Sequence, residues 1–267
     1  PISGLIGDSQ AALFGNLCLH EGMAKATYGT GTSVLMNVGE PQPQLGEGLV
    51  QAIAWGQGGK ITYALEAVIR TSGDSIKWIR DNLGLFDTFD EMESIVKQVE
   101  DSEGVYLVPA FVGLGVPYWE PTARASITGM NRGTGKAHII RAALESIAYQ
   151  VCDAIELLQE VSGVVLSELR VDGGATNNNL LMHFQANLLD KVVRRSDVVE
   201  LSAMGSVYMG GLATGYWSTI DDIRAIYKEG STFEPVMNSN ERNRYREGWK
   251  NAVATVIGGL HSPASLN

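Results

Sequence analysis

Cysteine is nearly missing from this chain of 267 residues. Only Cys18 and Cys152 occur, far apart and outside any CxxC pair. That excludes a disulfide framework and a zinc ribbon, and it suits a reducing, cytoplasmic setting. Proline is scarce, at 8 residues, while 45% of the chain is hydrophobic. A linker-like, fibrous or disordered chain is excluded on those grounds. Positive charge is also short: 20 Lys+Arg face 30 Asp+Glu, a net charge of −10. Neither a nucleic-acid backbone nor an anionic membrane finds the clustered cations it needs, so no nucleic-acid or membrane partner is expected. No apolar run reaches the length of a bilayer span, and no basic segment followed by an apolar one opens the chain. There is no GxxxxGK[ST], no GxGxxG and no GxSxG, so P-loop, dinucleotide-fold and serine-hydrolase readings lack support. His20, His138, His183 and His261 show no ligand spacing and are expected to be structural or at the surface. The first residue is Pro1 rather than Met.

What the chain has in excess is glycine, 31 residues, five of which fall in three loops that mix Gly with small polar groups. The first is Gly7-Asp8-Ser9-Gln10, preceded by the short strand expected at 2–6. The second is Gly29-Thr30-Gly31-Thr32-Ser33, and the third runs from Asp172 through Gly173 and Gly174 to Asn179. Glycine lets backbone N–H groups approach a phosphate, and Thr or Asn adds directed donors. The third loop also feeds a helix N-terminus, where free N–H groups favour an anion. Each loop alone reads equally as a tight turn. Three together without a P-loop suggest a nucleotide site of another kind. Within the first loop Asp8 has two readings: a helix N-cap, or a carboxylate that takes a proton from a substrate hydroxyl.

Periodicity places these loops in an α/β domain. Strands are expected at 23–28, 33–38 and 60–66, with a short one near 49–55 inside a loop-rich stretch. Helical spacing follows Gly73 and stops near Gly84. Residues 87–103 carry seven acids and one Lys beside apolar Met92, Ile95, Val96 and Val99, as a solvated amphipathic helix would. A strand at 105–109, an irregular stretch at 113–134 and a long helix ending at Gly163 come next. Then follow a strand at 169–172, a helix at 178–189, a strand at 191–194, a helix at 203–214 and a final helix at 240–257. No repeat or low-complexity linker divides the chain, so one α/β domain is expected.

The motifs resemble the C-terminal domain of the FGGY carbohydrate kinases, and among them the glycerol kinases most. Gly7-Asp-Ser-Gln-Ala-Ala-Leu-Phe-Gly15 is similar to GDQQAALFG, and Gly22 through Gly31 to GMAKNTYGTG. Tyr63-Ala-Leu-Glu66, Val108 to Trp119, His138 to Gln150, Leu169 to Gly174 and Ala203-Met-Gly-Ser206 follow in family order. The resemblance implies a ribonuclease H-like fold of the actin/hexokinase/Hsp70 ATPase type. It implies a kinase that uses ATP and Mg²⁺ on a small sugar or polyol, with an N-terminal sugar-binding domain preceding 1–267 and a homo-oligomer, dimer or tetramer. By position Asp8 matches the catalytic base and a possible Mg²⁺ contact. Gly29, Thr30 and Gly31 match the loop around the transferred phosphate. Gly73, Lys77, Gly174 and Asn178 match nucleotide contacts, Lys77 standing where glycerol kinases usually have Gln.

Two departures bear on substrate. Ser9 stands where glycerol kinases have a Gln, and Ser33 where they have a Phe that packs on glycerol. Replacing an aromatic wall by a small hydroxyl enlarges and polarises a pocket. The expected substrate is therefore a pentulose such as xylulose, or a polyol longer than glycerol. The competing reading is a non-catalytic actin-like nucleotide module or a degenerate regulatory homologue.

Overall fold

The computed structural model describes residues 2–198 and 200–261; the question of Pro1 and the side chain of His261 lie outside the described residues. Its centre is a seven-stranded sheet in the order β3-β4-β2-β1-β7-β8-β9. β1 (Met23–Tyr28), β2 (Thr32–Gly39), β3 (Leu49–Gln57) and β4 (Lys60–Ile69) form the antiparallel half. The turn between β3 and β4 is Gly58-Gly59, with φ of 59° and 77°. Two left-handed residues in succession give the turn a twist that matches the strands, which is why both are glycine. Before β1 lies helix α1 (Asp8–Gly15). The strand expected at 2–6 does not form: these residues join no sheet, and Gly4 instead rests on the backbone of Gly210.

After β4 come α2 (Gly73–Asp81) and α3 (Phe89–Val96). The acidic helix is thus shorter than the charge pattern suggested. Thr88 caps it through the Glu91 amide, and it stops at Val96, after which the acids of 100–103 lie in turns. The segment expected to be irregular contributes β6 (Ser126–Thr128), which pairs with β5 (Tyr106–Val108) in a small second sheet.

The long helix is α4 (Lys136–Ser162), ended by Gly163 at φ 69°. Most of its residues from Ile140 to Leu158 are buried, so it forms the spine of the main core. β7 (Glu168–Asp172) then pairs parallel with β1, and β8 (Val193–Ser196) parallel with β7. Between them lie a 3₁₀ turn at Gly174–Asn177 and α5 (Asn179–Leu189). α6 (Leu201–Thr214) crosses α1 closely. A Cβ on Gly15 would strike the Leu201 carbonyl, and one on Gly205 the Ala11 carbonyl. Sequence periodicity missed α7 (Ile220–Ile226) and the edge strand β9 (Glu229–Phe233), both short. α8 (Ser239–His261) closes the chain and plants Trp249 against Tyr149, rings stacked at 5.0 Å.

Strand alternation sends the two faces of the sheet to different tasks. Ala24, Ala26, Tyr28, Val34 and Met36 join the α4-side core. Leu35, Ala64 and Trp55 pack with Leu13 and Phe14 of α1 on the opposite face. Among the described residues no helix is long and apolar enough to cross a membrane.

Candidate functional site

On the α4 face, a cleft of about 570 Å³ opens between α2, α3, α4 and the turn after β7. Its polar edge holds Gly29, Thr30, Gly73, Lys77, Gly174 and Asn178, six residues expected from sequence. Its apolar wall is Ile76, Phe89, Met92, Leu144, Ile147 and Ala175, which motif reading did not single out. Their signal was present only as ordinary helical periodicity, indistinguishable in sequence from core. An apolar slot with a polar edge at a glycine-rich turn suits a flat base with phosphates attached.

The Gly29–Gly31 loop is braced by hydrogen bonds. The Ser72 amide donates to the Thr30 carbonyl at 2.8 Å, and the Gly73 amide to the Gly29 carbonyl at 3.0 Å. The Thr32 hydroxyl donates to Ser72 Oγ at 2.7 Å beneath it. Space is tight: a Cβ on Gly73 would lie 2.6 Å from the Gly29 oxygen, and one on Gly31 would meet the Ile69 carbonyl. Gly31 therefore shapes the loop without lining the cleft.

The second wall is the turn after β7. Gly173 has φ 95° and lies on the backbone of Tyr28, so the fold itself requires glycine there. Gly174 differs: a Cβ would meet nothing within 4 Å, and its φ is not left-handed. Asn178 caps α5, its side-chain oxygen accepting from the Leu181 amide at 2.9 Å. Arg195 of β8, unforeseen, clasps this turn. Its guanidinium donates to the Thr176 carbonyl at 2.7 Å, to Asn179 Oδ1 at 3.0 Å and to Ser231 Oγ at 2.8 Å.

Asp8, Ser9 and Ser33 do not line this cleft. They belong to the α1 side of the sheet, with the Gly29–Gly31 turn at the end of β1 between the two regions. Asp8 is exposed and does not cap α1. Gly7 occupies the N-cap, and the Asp8 carboxylate accepts from the Ser9 amide at 2.8 Å. The cap reading is thereby corrected, and the carboxylate keeps a free oxygen at the surface.

On the same face of the sheet, Lys25 of β1 is only 1% exposed. Its ammonium donates to Thr27 Oγ1 at 3.1 Å and to Ser33 Oγ at 3.3 Å. Burial pulls its pKa down, and the charges of Asp172, Glu66 and Asp8 pull it back up. Ser33 in turn donates to Glu66 Oε1 at 2.8 Å. Asp172 accepts from Asn16 Nδ2 at 3.0 Å. So one buried cation has three carboxylates around it on the α1 face of the sheet. Lys25, Glu66 and Asp172 were visible in sequence only as members of motifs, because their convergence depends on strand register.

The two cysteines and two of the histidines have structural surroundings. Burial pushes both thiols, Cys18 and Cys152, up to about 12, so neither is a nucleophile. His138 accepts from the Gly135 amide at the start of α4, and His183 meets Phe233 edge-on. Among the described residues no group of three His, Cys, Asp or Glu could by itself hold a metal ion.

Three kinds of similarity agree with this geometry. Residues 24–214 match the pattern of the C-terminal domain of the FGGY family of carbohydrate kinases. A glycerol kinase of Thermus thermophilus is 49% identical over 257 residues, 96% of this chain and 52% of that protein. One of Geobacillus kaustophilus is 50% identical over the same length, again 52% of that protein. The chain spans about half the length of the curated relatives it matches. The crystal structure of Plasmodium falciparum glycerol kinase with ADP superposes with a TM-score of 0.89 at 34% identity, covering 94% of this chain and 50% of that one. A xylulose kinase of Lactobacillus acidophilus has a TM-score of 0.82 at 18% identity, a likeness of fold alone. The architecture is the ribonuclease H-like fold of the actin and hexokinase type, and the chain belongs to the FGGY family of carbohydrate kinases, whose C-terminal domain it carries.

Proposed function

We propose that this chain is the nucleotide-binding half of an ATP-dependent kinase that phosphorylates a hydroxyl of a small polyol or ketose. Gly174 carries the reading. The protein leaves open space above it and imposes no left-handed backbone, so glycine there answers to a ligand that comes close. That ligand lies in the cleft, base against Ile76, Met92 and Ile147, phosphates toward Gly29 and Thr30. An N-terminal half, of the length the relatives have beyond this chain, supplies most sugar contacts and closes over the α1 face.

In the reaction Asp8 orients the acceptor hydroxyl and takes its proton. The new P–O bond forms at that oxygen as the bond from the γ-phosphorus to the ADP oxygen breaks. Backbone amides of the Gly29–Gly31 loop and the Thr30 hydroxyl steady the phosphoryl oxygens; their bracing by Ser72 and Gly73 means little reorganisation is needed. Mg²⁺ fits this site. Asp8 and Asp172 offer carboxylates on one face, and the ion commonly takes one or two of these beside substrate phosphates. When bound it neutralises phosphate charge. Such an enzyme is a soluble cytoplasmic one, and a dimer or tetramer.

The test is a two-domain enzyme assayed for acceptor-dependent ADP release on glycerol, longer polyols and ketoses. Turnover that requires an acceptor, and that Asp8→Asn lowers by orders of magnitude with ADP affinity unchanged, supports a kinase. Nucleotide binding with no acceptor-dependent turnover points to the non-catalytic module or regulatory homologue. Preference for glycerol over every longer substrate refutes the substrate reading.

A further inference from the structure

We infer that Glu66, not Ser33, meets the substrate on the β2–β4 side, and that it selects a neutral polyhydroxyl acceptor over an acidic one. The inference rests on the kinase reading above and deepens it. Ser33 is saturated. Its single proton goes to Glu66 Oε1 at 2.8 Å, and the Lys25 ammonium occupies an oxygen lone pair at 3.3 Å. A hydroxyl so engaged has no donor left for a ligand. Glu66 is only half-buried, and Ser33 holds one of its two oxygens. The other is a carboxylate acceptor on the same face as Lys25.

The surroundings place this oxygen at an open, unfinished wall. Val50 pairs across the strands with Glu66, and Val68 with Ser33. Directly paired residues share a face. These two valines are 52% and 47% exposed, so the patch beside Glu66 is apolar and uncovered. A carbon chain would lie along the valines and offer a hydroxyl to Glu66.

Charge decides the class of substrate. Glu66, Asp8 and Asp172 are all acids, and a carboxylate accepts hydrogen bonds but cannot donate them when ionised. The cation among them, Lys25, is buried and already spends donors on Thr27 and Ser33. A sugar acid would therefore bring its charge against carboxylates, while a four- or five-carbon polyol or ketose brings donors. Lys25 and Ser33 are positioning residues: they fix the carboxylate's orientation through the register of three strands.

The experiment uses the full-length enzyme with Glu66→Gln, Ser33→Ala and Ser33→Phe. Neutral polyols, ketoses, glycerol and the corresponding aldonates are the acceptors. Glu66→Gln is expected to raise KM for the preferred neutral acceptor about 10-fold or more, the loss of one charge-assisted hydrogen bond. KM for ATP stays near wild type, which a merely structural role would not allow, while the melting temperature falls because buried Lys25 loses one of its carboxylate neighbours. Ser33→Ala moves acceptor KM the same way by less, and Ser33→Phe shifts preference toward glycerol. Calorimetric titration of acceptor in the presence of ADP gives the same ranking without turnover. Unchanged acceptor KM in Glu66→Gln, or a preference for aldonates in the wild type, overturns the inference and leaves the kinase reading standing. No turnover by the wild type on any acceptor overturns both.

Discussion

Replacing Gly174 by Ala separates what the fold needs from what a ligand needs. In the protein the new methyl meets no heavy atom within 4 Å, and the backbone is not left-handed. Strain is therefore absent, and the smaller entropy of the unfolded chain stabilises the variant by about 0.4–1 kcal/mol. For a domain of this size that raises the melting temperature by up to about 4 °C. At the cleft the result is opposite. A methyl on a wall that a ligand touches forces displacement, and such overpacking costs about 1–3 kcal/mol. Expressed as affinity for ADP, this is a loss of about 5- to 150-fold. Neighbouring Gly173 is the control, because φ 95° and the Tyr28 backbone make glycine compulsory there. Gly173→Ala loses stability and binding together. The assay is calorimetric titration of ADP into the purified chain, with thermal melts of each variant. A stable Gly174→Ala that binds ADP as well as wild type would refute the argument that a ligand approaches this turn.

Further outcomes follow from the same contacts. Arg195→Met should weaken ADP binding several-fold while leaving turnover at saturating ATP nearly unchanged, because Arg195 holds the Thr176–Asn179 turn and touches no reacting group; a fall in kcat with KM for ATP intact contradicts this. Arg141→Ala should cost about 3–5 kcal/mol in urea unfolding, since it strands the Glu145 carboxylate, which lies 2.6 Å from Arg141 and is 1% exposed. Burial, outweighing the pull of Arg141, raises the Glu145 pKa above its unfolded value. Its contribution is thus fully present below the ordinary Glu range and is lost as pH rises through the raised value. Glu145→Gln should flatten the pH dependence of unfolding across that window; an unaltered profile counts against it. The isolated chain should bind ADP yet phosphorylate no acceptor, a result that measurable kinase activity of this chain alone would reverse.

Much of the site was legible because loop chemistry is local. Glycine and hydroxyl residues at 29–31 and 173–178 announce close backbone approach whatever the fold around them, and Gly29, Thr30, Gly73, Gly174 and Asn178 do share one cleft. Long helices were legible too, because α4 repeats its apolar stripe over many turns and ends at a left-handed glycine. Short elements were not. α7 has 7 residues and β9 has 5, too few for a period to stand out. The acidic stretch misled because charge marks a solvated surface equally well in helix and in turn, and only backbone hydrogen bonding stops α3 at Val96.

The residues by themselves determined the family, the glycine-rich loops and the acid at position 8, since each is written in a contiguous run. The sheet decided the rest. Alternation along β1 sends Tyr28 to the α4-side cleft and Lys25 to the opposite face, where Ser33 joins it, apart from the loop that follows β1 in sequence. Register among β1, β2 and β4 joins Lys25, Ser33 and Glu66 into one hydrogen-bonded chain. Pairings of that kind set residues tens of positions apart at hydrogen-bond distance, and a linear sequence carries no term for them.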